Sequence, residues 1–218
     1  MIFELDGLDK RATSEYCWVD KVSGVGFINP GNVIEISNGF SFDGVNGATH
    51  ILQGNHKFPP GYETYDQTNA TIEIVMYPRL TKSWCPIFML GDYYENNCTG
   101  VATTLTNSDR NRIQYSVKSY TGSLHTYNAF NNKLYTCSTT FNSPIYINKS
   151  IMSMYSNRTY MTSNEITMAV GGRLNSSDSN CTSFQGDIYE IRLYNRILTE
   201  DEVFHNQTID IQRYNIEI

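Results

Sequence analysis

The sequence predicts an all-β fold, and three observations support this prediction. Short segments alternate apolar and polar residues with a period of two, as half-buried strands do. The chain contains 22 Asn and 15 Gly, which suit the turns between many short strands. Aromatic residues make up 13% of the chain, with 16 Tyr among them, and only 17% of residues are charged, as expected of an ordered globular protein.

We predict a single domain over residues 1–218. This length fits one large β-sandwich or two small domains, and it is ample for a buried core. No linker, internal repeat or boundary in composition is visible, which favours the single domain.

The composition also limits the partners. A net charge of −6, a pI near 5.2 and scattered Lys and Arg argue against binding to nucleic acid or to an anionic membrane. No apolar stretch approaches the ~20 residues that cross a bilayer, so we predict no membrane insertion. Residues 1–4 lack the basic start and apolar core of a secretory signal. We therefore expect either a chain that is not exported by that route or a module of a longer protein with an extracellular or particle-surface role.

Five cysteines are widely separated in the sequence: Cys17, Cys85, Cys98, Cys137 and Cys181. Without a CxxC pair they give no support to a zinc site. We expect all five to be reduced and mostly buried, since free Cys is usually buried. Seven Asn-x-Ser/Thr sequons also occur, which we attribute to chance in a chain rich in Asn and Thr.

Strand candidates follow one another along the chain. In order they are residues 33–36, 40–42, 70–77, 87–90, 101–105, 112–119, 133–137, 145–147, 166–170 and 188–194. Ser37-Asn38-Gly39 predicts a turn between the first two, and residues 54–68, which include Pro59-Pro60-Gly61, predict a loop.

The closing segment carries the most specific local signal. Residues 188–194 alternate and are dominated by β-branched and aromatic side chains, which predicts a strand. Thr199 and Glu202 then form a capping box, in which the Thr199 hydroxyl accepts from the Glu202 amide and the Glu202 carboxylate accepts from the Thr199 amide. Val203 and Phe204 supply apolar contacts, so we expect one short helical turn after the strand.

This segment and several earlier ones resemble a known family. The order Phe184, Gly186, Ile188, Glu190, Arg192, Tyr194, Asn195, Arg196, Leu198 and Glu202 is similar to the end of laminin G-like domains of the concanavalin A-like lectin/glucanase superfamily. Further stretches resemble the family in the same order: Trp18-Val19-Asp20, Phe40 to Asn46, Ala70 to Ile74, Ile145 to Asn148 and Ala169 to Arg173. The match covers nearly the whole chain and is poorest over residues 105–144. The resemblance implies a two-sheet antiparallel jelly-roll β-sandwich, here with one short helix near the C-terminus, and frequently a carbohydrate binder.

The chain departs from the family pattern at two positions. Tyr189 stands where the family often carries Asp. Lys149 follows Asn148 where the family usually has an Asn-Gly turn, and Lys fits positive φ less well than Gly, so the turn type stays open.

Trp18 has two interpretations. A tryptophan can be a platform on which a sugar ring stacks, but large aromatic side chains also dominate the burial in cores. We interpret Trp18 as a core residue.

An enzymatic function was tested against the carboxylate pattern of glycosidases. Retaining enzymes need two carboxylates about 5–5.5 Å apart, and the glucanase branch places them in a Glu-x-Asp-x-x-Glu or Glu-x-Asp-x-Glu run. The nearest pairs here are Glu63 with Asp66, Asp92 with Glu95, and Asp187 with Glu190. Their odd spacing puts the two members on opposite faces of a regular strand. We therefore predict that the chain is not an enzyme and that Glu190 forms an ion pair with Arg192.

Other reactive groups give no motif. The four histidines, His50, His56, His125 and His205, have no recognisable Ser or Cys partner motif. The resemblance also raises a structural calcium, with Asp43, Asp92 and Asp187 as candidate donors. Tyr189 at the usual acidic position weakens that idea, and we predict no cofactor and no metal.

Two loops combine aromatic faces with groups that bind hydroxyls. The first contains Asp92, Tyr93, Tyr94 and Asn96, and the second contains Tyr120 and Tyr127. Stacking surfaces beside Asp and Asn suit saccharides, so we predict that these six residues bind carbohydrate. The alternative is that they are exposed loop residues of a chain rich in Tyr and Asn.

Together these points favour a non-catalytic, lectin-like module that binds glycans or glycoproteins in surface adhesion or recognition, as part of an adhesin, a secreted carbohydrate-active enzyme or a phage tail protein. The first alternative is a structural or protein-interaction module without a sugar site, and the second is a glycoside hydrolase. The step from fold to sugar binding rests on analogy. The ligand and the oligomeric state are left open.

Overall fold

The structure is a computed structural model that describes residues 1–45, 50–54, 69–79, 85–90, 99–105, 111–117, 123–125, 132–140, 144–152, 168–172 and 183–217. Sixteen strands and one helix make up this part of the chain.

Eight strands form an antiparallel sheet, sheet A. They are β1 (Phe3–Asp6), β4 (Ile34–Ile36), β5 (Gly39–Asp43), β7 (Thr71–Pro78), β12 (Tyr135–Thr140), β13 (Ile145–Ile147), β14 (Ser150–Met152) and β16 (Gln185–Tyr194). Their order across the sheet is β14-β13-β12-β7-β16-β5-β4, and β1 pairs with β16 beyond the end of β5. The last strand in the sequence is therefore a central strand of the sheet.

The other eight strands form sheet B, which is also antiparallel. They are β2 (Trp18–Val19), β3 (Gly26–Ile28), β6 (Leu52–Gly54), β8 (Cys85–Leu90), β9 (Thr99–Leu105), β10 (Asn111–Val117), β11 (Ser123–His125) and β15 (Met168–Val170). Their order is β11-β10-β9-β8-β15-β6-β3-β2.

Aromatic side chains from both sheets meet in one core. Phe3 of sheet A stacks on Phe88 of sheet B with ring centroids 5.6 Å apart, and Trp18 of sheet B lies 5.0 Å from Phe40 of sheet A. Trp18 is fully buried, and its Nε1 donates to the carbonyl of Asp6 at 3.0 Å. The core interpretation of Trp18 is thus confirmed. The predicted fold class, a two-sheet antiparallel jelly-roll sandwich with one short C-terminal helix, is confirmed as well.

A β-bulge in β16 breaks the regular alternation predicted for this strand. The register with β7 shifts between Ile188 and Glu190, so that Tyr189 is an extra residue. Ile188 and Ile191 both enter the core, although they are three positions apart. Asp187 and Glu190 consequently share the outer face of sheet A, and the prediction that they lie on opposite faces is wrong.

The hairpin at Asn148-Lys149 is present, with the non-glycine residue in the second turn position. Both residues adopt positive φ, 46° and 64°, as a type I′ turn requires. The Asn148 side chain accepts from the amide of Thr136 at 2.9 Å, and the Lys149 amide donates to Gln207 at 2.7 Å. These tertiary contacts hold a turn in which Lys replaces the usual Gly.

The helix α1 (Glu200–Tyr214) begins at the predicted capping box. The Thr199 hydroxyl accepts from the Glu202 amide, and the Thr199 amide donates to the Glu202 carboxylate at 2.9 Å. The helix has 15 residues rather than the single turn expected, and among the described residues no helix is long and apolar enough to cross a membrane. Its buried residues, Val203, Gln207, Asp210 and Tyr214, recur at helical spacing and face sheet A. Two of the four are polar, so the buried face of the helix is not marked by apolar residues beyond its first turn. This explains why the sequence predicted a single turn.

We expect Thr199→Ala to lower the free energy of unfolding by about 1 kcal/mol, because the first turn of α1 loses its side-chain acceptor. The measurement is urea denaturation followed by far-UV circular dichroism. Thr199→Ser keeps the hydroxyl and serves as the matched control, with a midpoint close to that of the unmodified chain. Equal losses in the two variants contradict the capping role.

Arg192 is the centre of a buried ionic network between sheet A and α1. Its side chain contacts Glu190 Oε1 at 2.7 Å and Glu73 Oε2 at 3.0 Å, and it also contacts Asp210. The expected pairing of Glu190 with Arg192 is therefore present. The strands supply the two glutamates and the helix supplies Asp210, so one guanidinium ties the helix to the sheet.

A second part of this network joins β1 to the same helix. Arg213 of α1 contacts Asp6 and also lies 3.2 Å from Glu190 Oε2, while Lys21 Nζ lies 3.0 Å from Asp6 Oδ2. Burial by itself raises the pKa of Asp6, but the hydrogen bonds from Arg213 and Lys21 outweigh it, and the pKa lies below its usual value. Asp6 is thus an ionised link between the first strand and the helix.

Three of the cysteines fall in the described part of the chain. Cys85 and Cys137 are buried and Cys17 is half-buried, and none of the three forms a disulfide there. Burial raises the pKa of the Cys17 thiol to about 11. Cys98 and Cys181 lie outside the described residues.

Candidate functional site

All six residues predicted to bind carbohydrate lie outside the described residues: Asp92, Tyr93, Tyr94, Asn96, Tyr120 and Tyr127. The strands that flank them are described, however. The register of those strands locates the points at which these segments join sheet B.

The ends of three adjacent strands lie side by side in sheet B. Leu90, the last residue of β8, pairs with Thr99, the first residue of β9. Thr99 in turn pairs with Val117, the last residue of β10. Segments 91–98 and 118–122 therefore join the sheet at the same end, and these segments carry five of the six predicted residues.

Two further strand ends lie at this end of the sheet. Met168, the first residue of β15, pairs with Leu90, and Gly54, the last residue of β6, lies directly against Met168. Segments 55–68 and 153–167 join the sheet at these residues. We call the end formed by Gly54, Leu90, Thr99, Val117 and Met168 the sheet B rim.

The segments that join the sheet B rim are rich in tyrosine. Besides Tyr93, Tyr94 and Tyr120 they contain four tyrosines that are not among the six predicted residues: Tyr62, Tyr65, Tyr155 and Tyr160. Segments 55–68 and 153–167 are far from residues 91–122 in sequence, and only the strand order brings their attachment points together. In the sequence, the high number of tyrosines in the segments between strand candidates is the signal that could have pointed to these four residues.

Tyr127 differs from the other predicted residues in its attachment. β11 begins with Ser123 opposite Ser116 and ends with His125 opposite Gln114, so the chain runs away from the sheet B rim before it reaches residue 127. The register therefore separates the attachment point of Tyr127 from that of Tyr120.

A polar cluster lies at the opposite end of the sandwich. His50 Nδ1 is 2.8 Å from Asp43 Oδ2, and His50 Nε2 is 3.3 Å from Asn32 Nδ2. His50 precedes β6 and Asp43 ends β5, so the imidazole connects an end of sheet B to an end of sheet A. These contacts engage Asp43, one of the candidate calcium donors.

Asp187, another of those candidates, is held by an arginine. Arg79 Nη1 donates to Asp187 Oδ2 at 2.7 Å, and Arg79 Nη2 donates to Ser41 Oγ at 2.9 Å. Burial and the nearby Asp187 carboxylate raise the pKa of Tyr189 to about 12. Among the residues that the structure describes, no group of three or more His, Cys, Asp or Glu side chains is arranged to hold a metal ion.

Solved structures provide the comparison with known proteins. A Trypanosoma rangeli sialidase in complex with sialic acid matches 95% of this chain with 16% identity and a TM-score of 0.65, and the match covers 32% of the sialidase. The binding domain of botulinum neurotoxin serotype G matches 96% of this chain and 51% of its own length, with 16% identity and a TM-score of 0.67. A native heptameric SAP-like pentraxin from Limulus polyphemus matches 75% of this chain and 78% of its own, with 13% identity and a TM-score of 0.60. The chain thus spans about a third of the sialidase and about half of the toxin domain.

The prediction that the chain is not an enzyme is contradicted by this comparison, because sialidases are among the similar structures. The prediction rested on the spacing of carboxylate pairs, which was expected to put the two members on opposite faces of a strand. The bulge in β16 puts Asp187 and Glu190 on the same face, so that reasoning does not apply to this pair. At 16% identity the likeness assigns no catalytic residue to this chain.

No protein-family model matches the chain, and no curated protein matches it. The structural likenesses do not single out the laminin G-like branch. What they show is the fold, a lectin-like jelly roll that also occurs in a sialidase, a toxin binding domain and a pentraxin.

Proposed function

We propose that residues 1–218 form one lectin-like module that binds glycans through the segments at the sheet B rim. Asp92, Tyr93, Tyr94 and Asn96 are the contacts proposed from segment 91–98, and Tyr120 is the contact proposed from segment 118–122. Tyrosine rings beside Asp and Asn offer stacking faces and hydroxyl-binding groups, which is the chemistry that saccharides require.

The observation that carries this proposal is the shared end of β8, β9 and β10. Leu90, Thr99 and Val117 are paired, so segments 91–98 and 118–122 leave the sheet together. Recognition by loops on a rigid β-scaffold is a common arrangement, because the buried strands fix where the loops begin. Phe88 of β8 and Val170 of β15 are fully buried beneath this end.

The finer assignments are also proposals. The order of residues from Phe184 to Glu202 supports a relation to laminin G-like domains, and the confirmed fold is compatible with it. A glycan or glycoprotein surface is the proposed partner, in adhesion or recognition. One structure with this fold is a sialidase in complex with sialic acid, so sialylated glycans belong among the ligands tested.

We expect the double variant Tyr93→Ala/Tyr94→Ala to lose binding on a glycan array, with an affinity at least about tenfold lower, because aromatic anchors carry most of the binding energy in such sites. Binding of the unmodified chain to the same array is measured in parallel, followed by titration calorimetry with the best ligand.

Tyr77→Ala is the matched control for that experiment. Tyr77 is a half-buried tyrosine at the end of β7 in sheet A, where it packs against Arg79, and it takes no part in the sheet B rim. Its replacement leaves the glycan affinity unchanged if the proposal is right. Full binding by the folded double variant contradicts the proposed site.

The alternatives predict other outcomes. A structural or protein-interaction module binds none of the glycans on the array. A glycoside hydrolase releases sugar from the ligands during incubation, so products are analysed by mass spectrometry in the same samples.

A further inference from the structure

A depression beside the first two turns of α1 is distinct from the sheet B rim. It has a volume of about 380 Å³, within the range of small-ligand sites. Its lining consists of Tyr194, Arg196 and Leu198 from the end of β16 and the segment after it, and Asp201, Glu202, His205 and Asn206 from the helix. It therefore lies against sheet A, on the other side of the sandwich from sheet B.

The floor of the depression is held in one geometry. The Tyr194 hydroxyl donates to Glu73 Oε2 at 3.1 Å, and Asn206 Nδ2 donates to the same oxygen at 3.0 Å. Burial and the nearby Glu73 carboxylate raise the pKa of Tyr194, so its hydroxyl stays protonated at neutral pH. With its amide nitrogen engaged below, Asn206 has its carbonyl oxygen left to accept a hydrogen bond from a ligand.

One wall is neutralised within the protein. Arg196 donates to both oxygens of Glu202, at 2.7 and 2.6 Å. These hydrogen bonds, together with the amide of Thr199, lower the pKa of Glu202 to about 2. The Arg196 charge is therefore already matched by a carboxylate.

The other wall offers two side chains one helical turn apart. The side chains of Asp201 and His205 are both exposed, and within the described part of the chain neither side chain has a hydrogen-bond or ion-pair partner. Their i, i+4 spacing puts them on the same face of α1. Because the charges of Arg196 and Glu202 cancel, the Asp201 carboxylate leaves the lining of the depression with a net negative charge.

We propose that this depression is a second saccharide site, selective for neutral pyranosides over sugars that carry a carboxylate. The Asp201 carboxylate and the Asn206 carbonyl accept from ring hydroxyls, the His205 imidazole forms a hydrogen bond with another hydroxyl, and the Tyr194 ring contacts the C–H face of the sugar. The unmatched Asp201 charge disfavours an anionic sugar. The choice of a saccharide as the ligand class rests on the proposed function. The site itself does not, because its residues differ from those of the sheet B rim.

The test is saturation-transfer NMR with the methyl glycosides of glucose, galactose, mannose and N-acetylglucosamine, and with N-acetylneuraminic acid as the anionic probe. We expect transfer to at least one neutral glycoside and at least about fivefold weaker binding of the acid, owing to charge repulsion. Asp201→Ala and His205→Ala each lower the affinity for the neutral glycoside, the former by about tenfold, as expected for one hydrogen bond to a charged group.

Glu200→Ala is the matched control. Glu200 is an exposed acidic residue in the first turn of α1, and it does not line the depression. Its replacement removes one acidic side chain from that turn, as Asp201→Ala does, but it is expected to leave binding unchanged. Urea midpoints of all variants check that the fold is intact.

Several outcomes, measured on the Tyr93→Ala/Tyr94→Ala chain so that the sheet B rim does not contribute, overturn the inference: no transfer to any neutral glycoside, preference for the acid, or transfer that survives the addition of Asp201→Ala and His205→Ala. Preference for a cationic probe such as L-lysine overturns it too. Transfer lost only in Tyr93→Ala/Tyr94→Ala assigns the sugar to the sheet B rim alone. Transfer lost only in the Asp201 and His205 variants supports this site while the sheet B rim proposal fails.

Discussion

Replacing Arg192 by Met is expected to lower the free energy of unfolding by about 3–5 kcal/mol, the usual cost of removing one partner from a buried ion pair. The guanidinium contacts Glu73, Glu190 and Asp210, and all three carboxylates are at most 2% exposed. Methionine fills much of the volume but leaves these carboxylates without their shared cation. The measurement is urea denaturation near neutral pH.

This loss is expected to depend on pH with a definite sign. Burial raises the pKa of Glu73 and that of Glu190, and the Arg192 charge opposes the rise. Without that charge, both folded-state pKa values move further above the unfolded value of about 4.3. The folded variant then binds protons more tightly than the unfolded chain, so its stability falls as the pH rises through the folded-state pKa. Arg192→Met therefore loses more stability at about pH 8 than at about pH 5.

Two further variants control this experiment. Arg192→Lys keeps a positive charge but not the planar fork that reaches three carboxylates, so its loss is expected to be intermediate. Arg11→Met removes an exposed arginine side chain that pairs with Asp9 and touches none of the three carboxylates around Arg192, and it leaves the urea midpoint nearly unchanged. A loss in Arg192→Met that does not vary with pH contradicts the role assigned to the two glutamates.

Trp18→Ala is expected to cost about 3–5 kcal/mol, as is usual when a buried aromatic side chain is truncated. The indole is fully buried, packs on Phe40 and donates to the carbonyl of Asp6. Its removal opens a cavity between the sheets and deletes the hydrogen bond to β1. Denaturation followed by far-UV circular dichroism measures the loss.

Trp18→Phe separates the two contributions. Phenylalanine keeps a ring against Phe40 but lacks the Nε1 donor, so its loss is expected to be smaller than that of Trp18→Ala. Glycan binding by the folded Trp18→Phe chain stays unchanged. A stable Trp18→Ala chain that has lost glycan binding would restore the interpretation of Trp18 as a sugar platform.

The sequence predicted those parts of the fold that depend on local periodicity. Ala70 to Tyr77 alternates regularly, and residues 33–36 and 40–42 are apolar segments on either side of a predicted turn. The strands found there differ from the predicted limits by at most one residue at each end. The Thr199 capping box is a local motif and was found as predicted. The bulge at Tyr189 was not foreseeable, because an extra residue is defined by the partner strand and not by the bulged strand alone.

The helix and the site show the other limit of local patterns. Gln207 and Asp210 are polar, so they do not mark a buried helical face in the sequence, yet both are buried against sheet A through contacts with Tyr146, Thr136 and Arg192. The loops around Tyr93 and Tyr120 were selected on composition alone. That they join the sheet at one end follows from strand register, which no single segment encodes.

The position of β16 in sheet A has a consequence for how the chain is made. β5 and β7 flank this strand and are not neighbours of each other, and among the described strands β1 pairs with β16 alone. On a ribosome, the sheet stays in separate pieces with its apolar face uncovered until residues 185–194 have emerged. Such late, long-range closure makes folding slow and exposes the nascent chain to aggregation. We therefore expect productive folding in the cell to depend on chaperones that shield the unfinished sheet.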